Sequence, residues 1–431
     1  MLPFFMQNNR FFISCAGYMG ALFFILFSFV FVYYSHTEDI KSTDYAFLYS
    51  IIGIVFLMMF GWELVQRYTF AQKEGIPFFA LASDSNIKIL KSTLYRFIVL
   101  FIPFLIVWLL VQNHYYFTQN NFFKPTRVFF DYLLWIFLLA GIPYIFITRK
   151  YLHHTRYEFN DYGILSMIAV RALFRKFIKK EDTRLYQNRR ITKVLRLYLV
   201  NFFFLTLMAR FFVSEFQGFN QAYHTISRAN FGTLSWYLQY KTFFLLFFHL
   251  LFIIDVGIAT IGYSFASRWL DNRTRSVDWT WSGWIVALLC YPPLNTAFTS
   301  QFISYQGLPT HQLITNEYAL AVVLAVVLLL YVLYVWATVA LGFKFSNLTH
   351  RGIVSSGPYR FVRHPAYAAK NMAWWVDNTF VLTNIWATVG MILWNVIYIL
   401  RALTEERHLS HYKDYQRYRG KVKYKFIPKI I

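Results

Sequence analysis

The sequence predicts an all-α protein, a polytopic transmembrane helical bundle of about ten segments, and three observations carry that prediction. Apolar runs long enough to cross a hydrocarbon core recur along the whole chain. Only 14% of the residues are charged, where a soluble domain carries about a quarter. Most lysines and arginines collect in alternate connections, on the side of the amino terminus. That asymmetry is what positively charged cytoplasmic loops produce.

The segments are expected near 11–35, 44–65, 95–113, 127–148, 194–213, 242–264, 281–300, 318–341, 367–382 and 385–404. The first is longer than the apolar part of a signal peptide and lacks a small-residue cleavage site, so it reads as a retained helix. Asp44, Glu63 and Asp131 lie near span ends, within reach of water. The largest break, 149–193, is strongly basic. Within it Arg171, Arg175 and Lys179 share one helical stripe, while Met167, Val170, Phe174, Phe177 and Ile178 can occupy another face. The pattern fits a helix in the headgroup plane or one packed on its own bundle. Segment 242–264 holds Asp255, the deepest carboxylate, which either lines a substrate path or makes an interhelical hydrogen bond. Pro292 and Pro293 interrupt 281–300, because proline removes a backbone donor. The interruption marks a cavity or a kink.

The net charge of +22 is therefore topology plus contact with anionic lipid headgroups, and no nucleic acid is expected as partner. Two cysteines, Cys15 and Cys290, both in apolar runs, exclude a disulfide framework. No metal-ligand spacing occurs, so no metal is expected. The oligomeric state does not follow from the sequence.

Two polar constellations stand out near the carboxyl end. Between segments eight and nine lies "GIVSSGPYRFVRHPAYAAKN", residues 352–371. Gly357-Pro358 favours a turn, and Pro365 suits the first turn of a following helix. Arg363 and His364 then sit at a helix start, with Tyr367 two residues inside. Segment ten ends in "LRALTEERHLSHYKDYQRYRGKVKYKFIPKI", with the adjacent carboxylates Glu405 and Glu406 at its mouth. A short connection around Thr383-Asn384 makes the last two segments an αα-hairpin, so the two constellations should meet at one membrane boundary.

This ordered set resembles the isoprenylcysteine carboxyl methyltransferase superfamily, which also includes phospholipid methyltransferases. The matching stretches are "LGFKFSNLTHRG", "GPYRFVRHPAY", the hairpin, "EERHL", "YQRY" and "FIP". They span about residues 338–431, leaving 1–337 as an amino-terminal transmembrane bundle. The resemblance implies an integral membrane methyltransferase whose hairpin and cytoplasmic tail form a pocket for S-adenosylmethionine. It implies catalytic roles for Arg363 and Glu406, and cofactor binding by Gly357, Tyr359, His364, Pro365, Tyr367, Glu405 and Glu406. It also implies a lipophilic or membrane-embedded acceptor, whose identity does not carry over.

The residue types suit such a cofactor. Arg363 or His364 can hold its carboxylate, the glutamates its ammonium or ribose hydroxyls, and tyrosine faces its sulfonium. The chain departs from the family pattern in two places. "SHYKDYQRY" lacks a glycine and is short, and Ala368-Ala369-Lys370-Asn371 follows Tyr367 where a glycine is common. Lys370 and Asn371 are thereby expected to influence acceptor choice. Sterol reductases, which use a nicotinamide cofactor, have a similar carboxyl end, but their "RHPNYLGD" is replaced here. A transporter using Asp255 leaves the carboxyl-end motifs unexplained. Both termini are expected on the cytoplasmic side of an integral membrane protein, the inner membrane in a bacterial cell.

Overall fold

The computed structural model describes residues 12–35, 44–75, 77–82, 84–152, 166, 175, 189–228, 235–267, 269–300, 314–378 and 383–430. The basic stripe expected over 167–179 lies almost wholly outside the described residues. Among those described, eight helices are long and apolar enough to cross a membrane. They account for eight of the ten expected segments. The other two are shorter. Residues 281–300 give a helix of 8 residues, Trp281–Leu288, and a π-helical stretch of 5, Asn295–Thr299, and 367–382 gives a helix of 13 residues, Pro365–Asp377. In the first case the helix stops before Pro292 and Pro293, which cannot supply main-chain donors to continue it.

The chain divides into two compact units. The first comprises Met1–Ala16, Asp39–Val213 and Thr260–Val277. Its long helices are α2 (Asp44–Lys73), α3 (Asn86–Asn113), α4 (Lys124–Lys150) and the leading part of α5 (Arg189–Arg228); α1 (Ala16–Ser35) lies almost entirely in the other unit. α3 and α4 pack through rings, with Phe97 5.3 Å from Phe137 and Phe104 5.6 Å from it. Their outer faces leave Ile98, Ile102, Ile106, Trp135 and Leu139 exposed, as lipid-facing helices do. Two carboxylates inside this unit are paired. Glu63 and Arg67 form a buried ion pair at 2.7 Å, and Asp131 accepts from Trp108 and Gln112 at 2.8 Å. An antiparallel two-residue pairing joins β1 (Ala80–Leu81) to β2 (Tyr151–Leu152).

The second unit comprises Gly17–Glu38, Ser214–Ala259 and Asp278–Ile431. It contains most of α1 and of α6 (Trp236–Ser264), with α7 (Trp281–Leu288), α8 (Glu317–Leu341), α9 (Pro365–Asp377), α10 (Ile385–Leu409) and α11 (Lys413–Lys421). Helix α8 runs through the 337/338 boundary drawn on the sequence. Gly17 lets α1 press its main chain onto the Val339 carbonyl of α8, a space any Cβ would fill. Val327 and Tyr331 of α8 bury with Ala373 of α9 against Phe248 and Phe252 of α6. On its other side α9 gives Tyr367 and Trp374 to a cluster with Met391, Trp394 and Tyr398 of α10. Helix α9 is thus held between α8 and α10, which fixes the polar residues at its start.

Candidate functional site

The start of α9 is built by the segment that precedes it. Gly357 has φ +58°, the left-handed region that favours glycine, and a Cβ there would lie 3.0 Å from Ala340 Cβ. The turn it permits lays Pro358 against α8 and directs the chain into Arg363-His364. Pro365 opens α9, where its missing N–H costs nothing. Gly357 and Pro365 shape this wall from behind and do not line the cavity described below.

Arg363 and His364 converge on one carboxylate. Arg363 Nε donates to Glu406 Oε1 at 2.7 Å, and His364 Nε2 lies 3.1 Å from the same oxygen. Arg363 Nη1 donates to the Val422 and Lys423 carbonyls, each at 3.0 Å. The Arg363 and His364 amides donate to the Tyr424 and Lys425 carbonyls at 3.0 and 2.8 Å. The guanidinium therefore clamps three parts of the chain: the segment before α9, the mouth of α10, and the tail after α11. Tyr418 adds a further tie, its hydroxyl donating to the Tyr359 carbonyl at 2.7 Å. Burial, and next the Glu405 carboxylate, push the Tyr359 phenol well above its ordinary range. Burial likewise raises Tyr418. Both stay neutral at physiological pH.

In front of this clamp is a cavity with about 740 Å³ of empty space, part of it continuous with the outside. The part of it that admits the centre of a water-sized sphere is smaller, about 110 Å³. Tyr359, Arg363, His364 and Tyr367 border it from one side, and Tyr398, Arg401 and Glu405 from α10. Tyr334 and Thr338 of α8, Asn347, Cys290 and Tyr291 complete it, with Lys370 from α9. Tyr367 donates to Glu405 Oε2 at 2.9 Å, and its ring lies parallel to His364 at 5.5 Å. Glu406 does not line the cavity. Adjacent glutamates on a helix project about 100° apart; here Glu405 faces the space and Glu406 faces the clamp.

Arg401, one turn before Glu405, is buried and faces the same space. It donates to Asn347 Oδ1 at 2.5 Å and to the Tyr291 hydroxyl at 3.4 Å, and lies 5.1 Å from the Tyr367 ring centre. Asn347, Tyr367, Arg401 and Glu405 also border a smaller hollow, with room for water-sized centres of about 20 Å³, so they form a partition between two spaces. Asp255 stands behind the α8 wall and accepts from Tyr334 at 2.9 Å and Thr338 at 2.5 Å. It makes an interhelical hydrogen-bond pair and does not line the cavity. Among the described residues no group of three or more His, Cys, Asp or Glu could hold a metal ion.

Of the site residues singled out in the sequence, the structure brings Tyr359, Arg363, His364, Tyr367 and Glu405 to the cavity and sets Glu406, Gly357 and Pro365 behind it. Sequence reasoning did not find Tyr291, Tyr334, Asn347 or Tyr398. Asn347 alone carried a signal, inside "LGFKFSNLTHRG"; the three tyrosines are among 32 in the chain.

Comparison with known proteins bears on this region. Residues 319–411 match the model of the isoprenylcysteine carboxyl methyltransferase (ICMT) family. The matched segment begins in α8 and ends just beyond α10, and it supports a membrane methyltransferase in general terms. No curated protein and no solved structure matches the chain.

Proposed function

We propose that the second unit carries an S-adenosylmethionine-dependent methyltransferase centre whose acceptor is a lipophilic or membrane-embedded small molecule. One observation carries the reading. A guanidinium and a carboxylate, Arg401 and Glu405, face a single cavity from successive turns of α10. The amino-acid end of the cofactor bears the complementary pair, a carboxylate and an ammonium. Arg401 is the better holder of the carboxylate, because its partners are the neutral Asn347 and Tyr291. Arg363 is already committed to Glu406 and two carbonyls. Glu405 takes the ammonium or a ribose hydroxyl through charge-assisted bonds, worth about 1.5–3 kcal/mol each. Tyr359, His364 and Tyr367 offer aromatic faces to the adenine and the sulfonium.

When bound, the cofactor supplies an electrophilic methyl group. The protein's task is then alignment and exclusion of water. The Arg363–Glu406 clamp serves alignment by fixing the wall that presents His364 and Tyr367, a positioning role in place of direct contact. The basic connections support a cytoplasmic mouth for the cavity, so that cofactor arrives from water and acceptor from the bilayer.

Isothermal titration of S-adenosylhomocysteine into detergent-solubilised protein tests this reading. Binding is expected, with about a tenfold or greater loss in Glu405→Gln. Absence of binding, alongside tight binding of NADPH, would replace the methyltransferase reading with a reductase.

A further inference from the structure

Lys370 is left over once the other charges of the cavity have been assigned. Arg363 is paired with Glu406, Arg401 rests on Asn347 and aromatic faces, and Glu405 accepts from Tyr367. Lys370 lines the same cavity from α9 and is half-buried. Its ammonium makes no hydrogen bond or ion pair among the described residues. Its near neighbours are the ring faces of Tyr334, 5.1 Å away, and Trp374, 5.3 Å away. Asp255 attracts it electrostatically, but that carboxylate is bonded to Tyr334 and Thr338 behind the wall.

Two ring faces attract the ammonium but do not replace the water it gives up on withdrawal from solvent. An anion in the cavity would complete the arrangement. Lys370 lies three residues beyond Tyr367, about 4.5 Å further along the helix axis, and so apart from the Tyr367–Glu405 bond. With Arg401 and Glu405 matched to the zwitterionic end of the cofactor, both Lys370 and the sulfonium remain positive. The molecule that shares the cavity with them should be negative.

We propose that Lys370 receives an oxyanion, phosphate or carboxylate, on the lipophilic acceptor and thereby determines which lipids the cavity takes. This rests on the methyltransferase reading for the word acceptor, but the binding it describes is measurable without cofactor. The simpler account, a lysine held at a helix surface for orientation in the membrane, does not explain why the ammonium is turned into a cavity.

The test is lipid binding by native mass spectrometry of protein in neutral detergent. The probes are phosphatidic acid, oleic acid and diacylglycerol. Wild-type protein should bind at least one of the two anionic lipids about tenfold more tightly than diacylglycerol. The tighter of the two identifies the oxyanion as phosphate or carboxylate. Lys370→Met should lose that preference, Lys370→Arg should keep it within about threefold, and the exposed-residue control Lys413→Met should not change it. S-adenosylhomocysteine titration of each variant separates the two readings. If wild-type protein binds lipid as described but not S-adenosylhomocysteine, the methyltransferase reading falls and the oxyanion site stands. The proposal is overturned if Lys370→Met keeps the anionic preference, or if wild-type protein shows none. It is also overturned if Lys370→Met weakens S-adenosylhomocysteine by the factor expected for lipid, which would assign Lys370 to the cofactor.

Discussion

Replacing Glu406 by alanine should release the clamp while leaving the cavity's own carboxylate in place. The ion pair is buried, with the Arg363 and Glu406 side chains 4% and 8% exposed. Removing one partner of such a pair costs about 3–5 kcal/mol, because the other charge stays buried. At about 1.4 kcal/mol per power of ten, the clamped arrangement should lose between two and three and a half powers of ten in its equilibrium. The effect is local and has a local reporter. The Arg363 and His364 amides donate to the Tyr424 and Lys425 carbonyls, so their hydrogen exchange follows opening of the tail. Exchange of these two amides in Glu406→Ala should accelerate by about a hundredfold or more, whereas amides in α2 should be unaffected. The double variant Arg363→Met with Glu406→Met should recover much of the protection, since no unpaired charge then remains. If Glu406→Ala exchanges within about threefold of wild type at both amides, the clamp does not hold the tail, and the positioning role given to Arg363 falls with it.

Three further outcomes are expected. Gly357→Ala should destabilise the second unit by about 1–3 kcal/mol, from positive φ and the close Ala340 contact; a lower melting temperature with weakened S-adenosylhomocysteine binding would show it. Asp255→Asn should cost about 1–3 kcal/mol by turning a double acceptor into a group with a misplaced donor. It should leave cofactor affinity unchanged, which titration measures directly. Arg67→Ala, in the first unit, should strand buried Glu63 and lower thermal stability by about 3–5 kcal/mol, again with cofactor affinity unaltered.

The features that were legible in the sequence are those written in local pattern. Long apolar runs gave eight of the spans, and the order RHPxY, hairpin, EE brought Tyr367 to Glu405. What the sequence did not reveal depends on distance along the chain. Tyr291 follows α7 and Tyr334 lies on α8, and no local periodicity shows that both face Arg401. The division of labour between Glu405 and Glu406 was likewise hidden, because it follows from the rotation of α10 against α9. Arg363 or His364 was expected to hold the cofactor's carboxylate; the carbonyls of 422 and 423 that occupy Arg363 belong to main chain, which carries no side-chain signature. The segment over 281–300 was drawn too long because apolar composition continues past Leu288, whereas Pro292 and Pro293 supply no main-chain donors to continue the helix.

The strap of main-chain carbonyls beyond α11 also sets an order of events during synthesis. The described spans of the second unit precede residues 422–425 in the chain, and until those residues emerge the Arg363 guanidinium has only Glu406 to hold. These spans are then threaded while the centre is still slack, and it tightens when this length of main chain docks onto the start of α9.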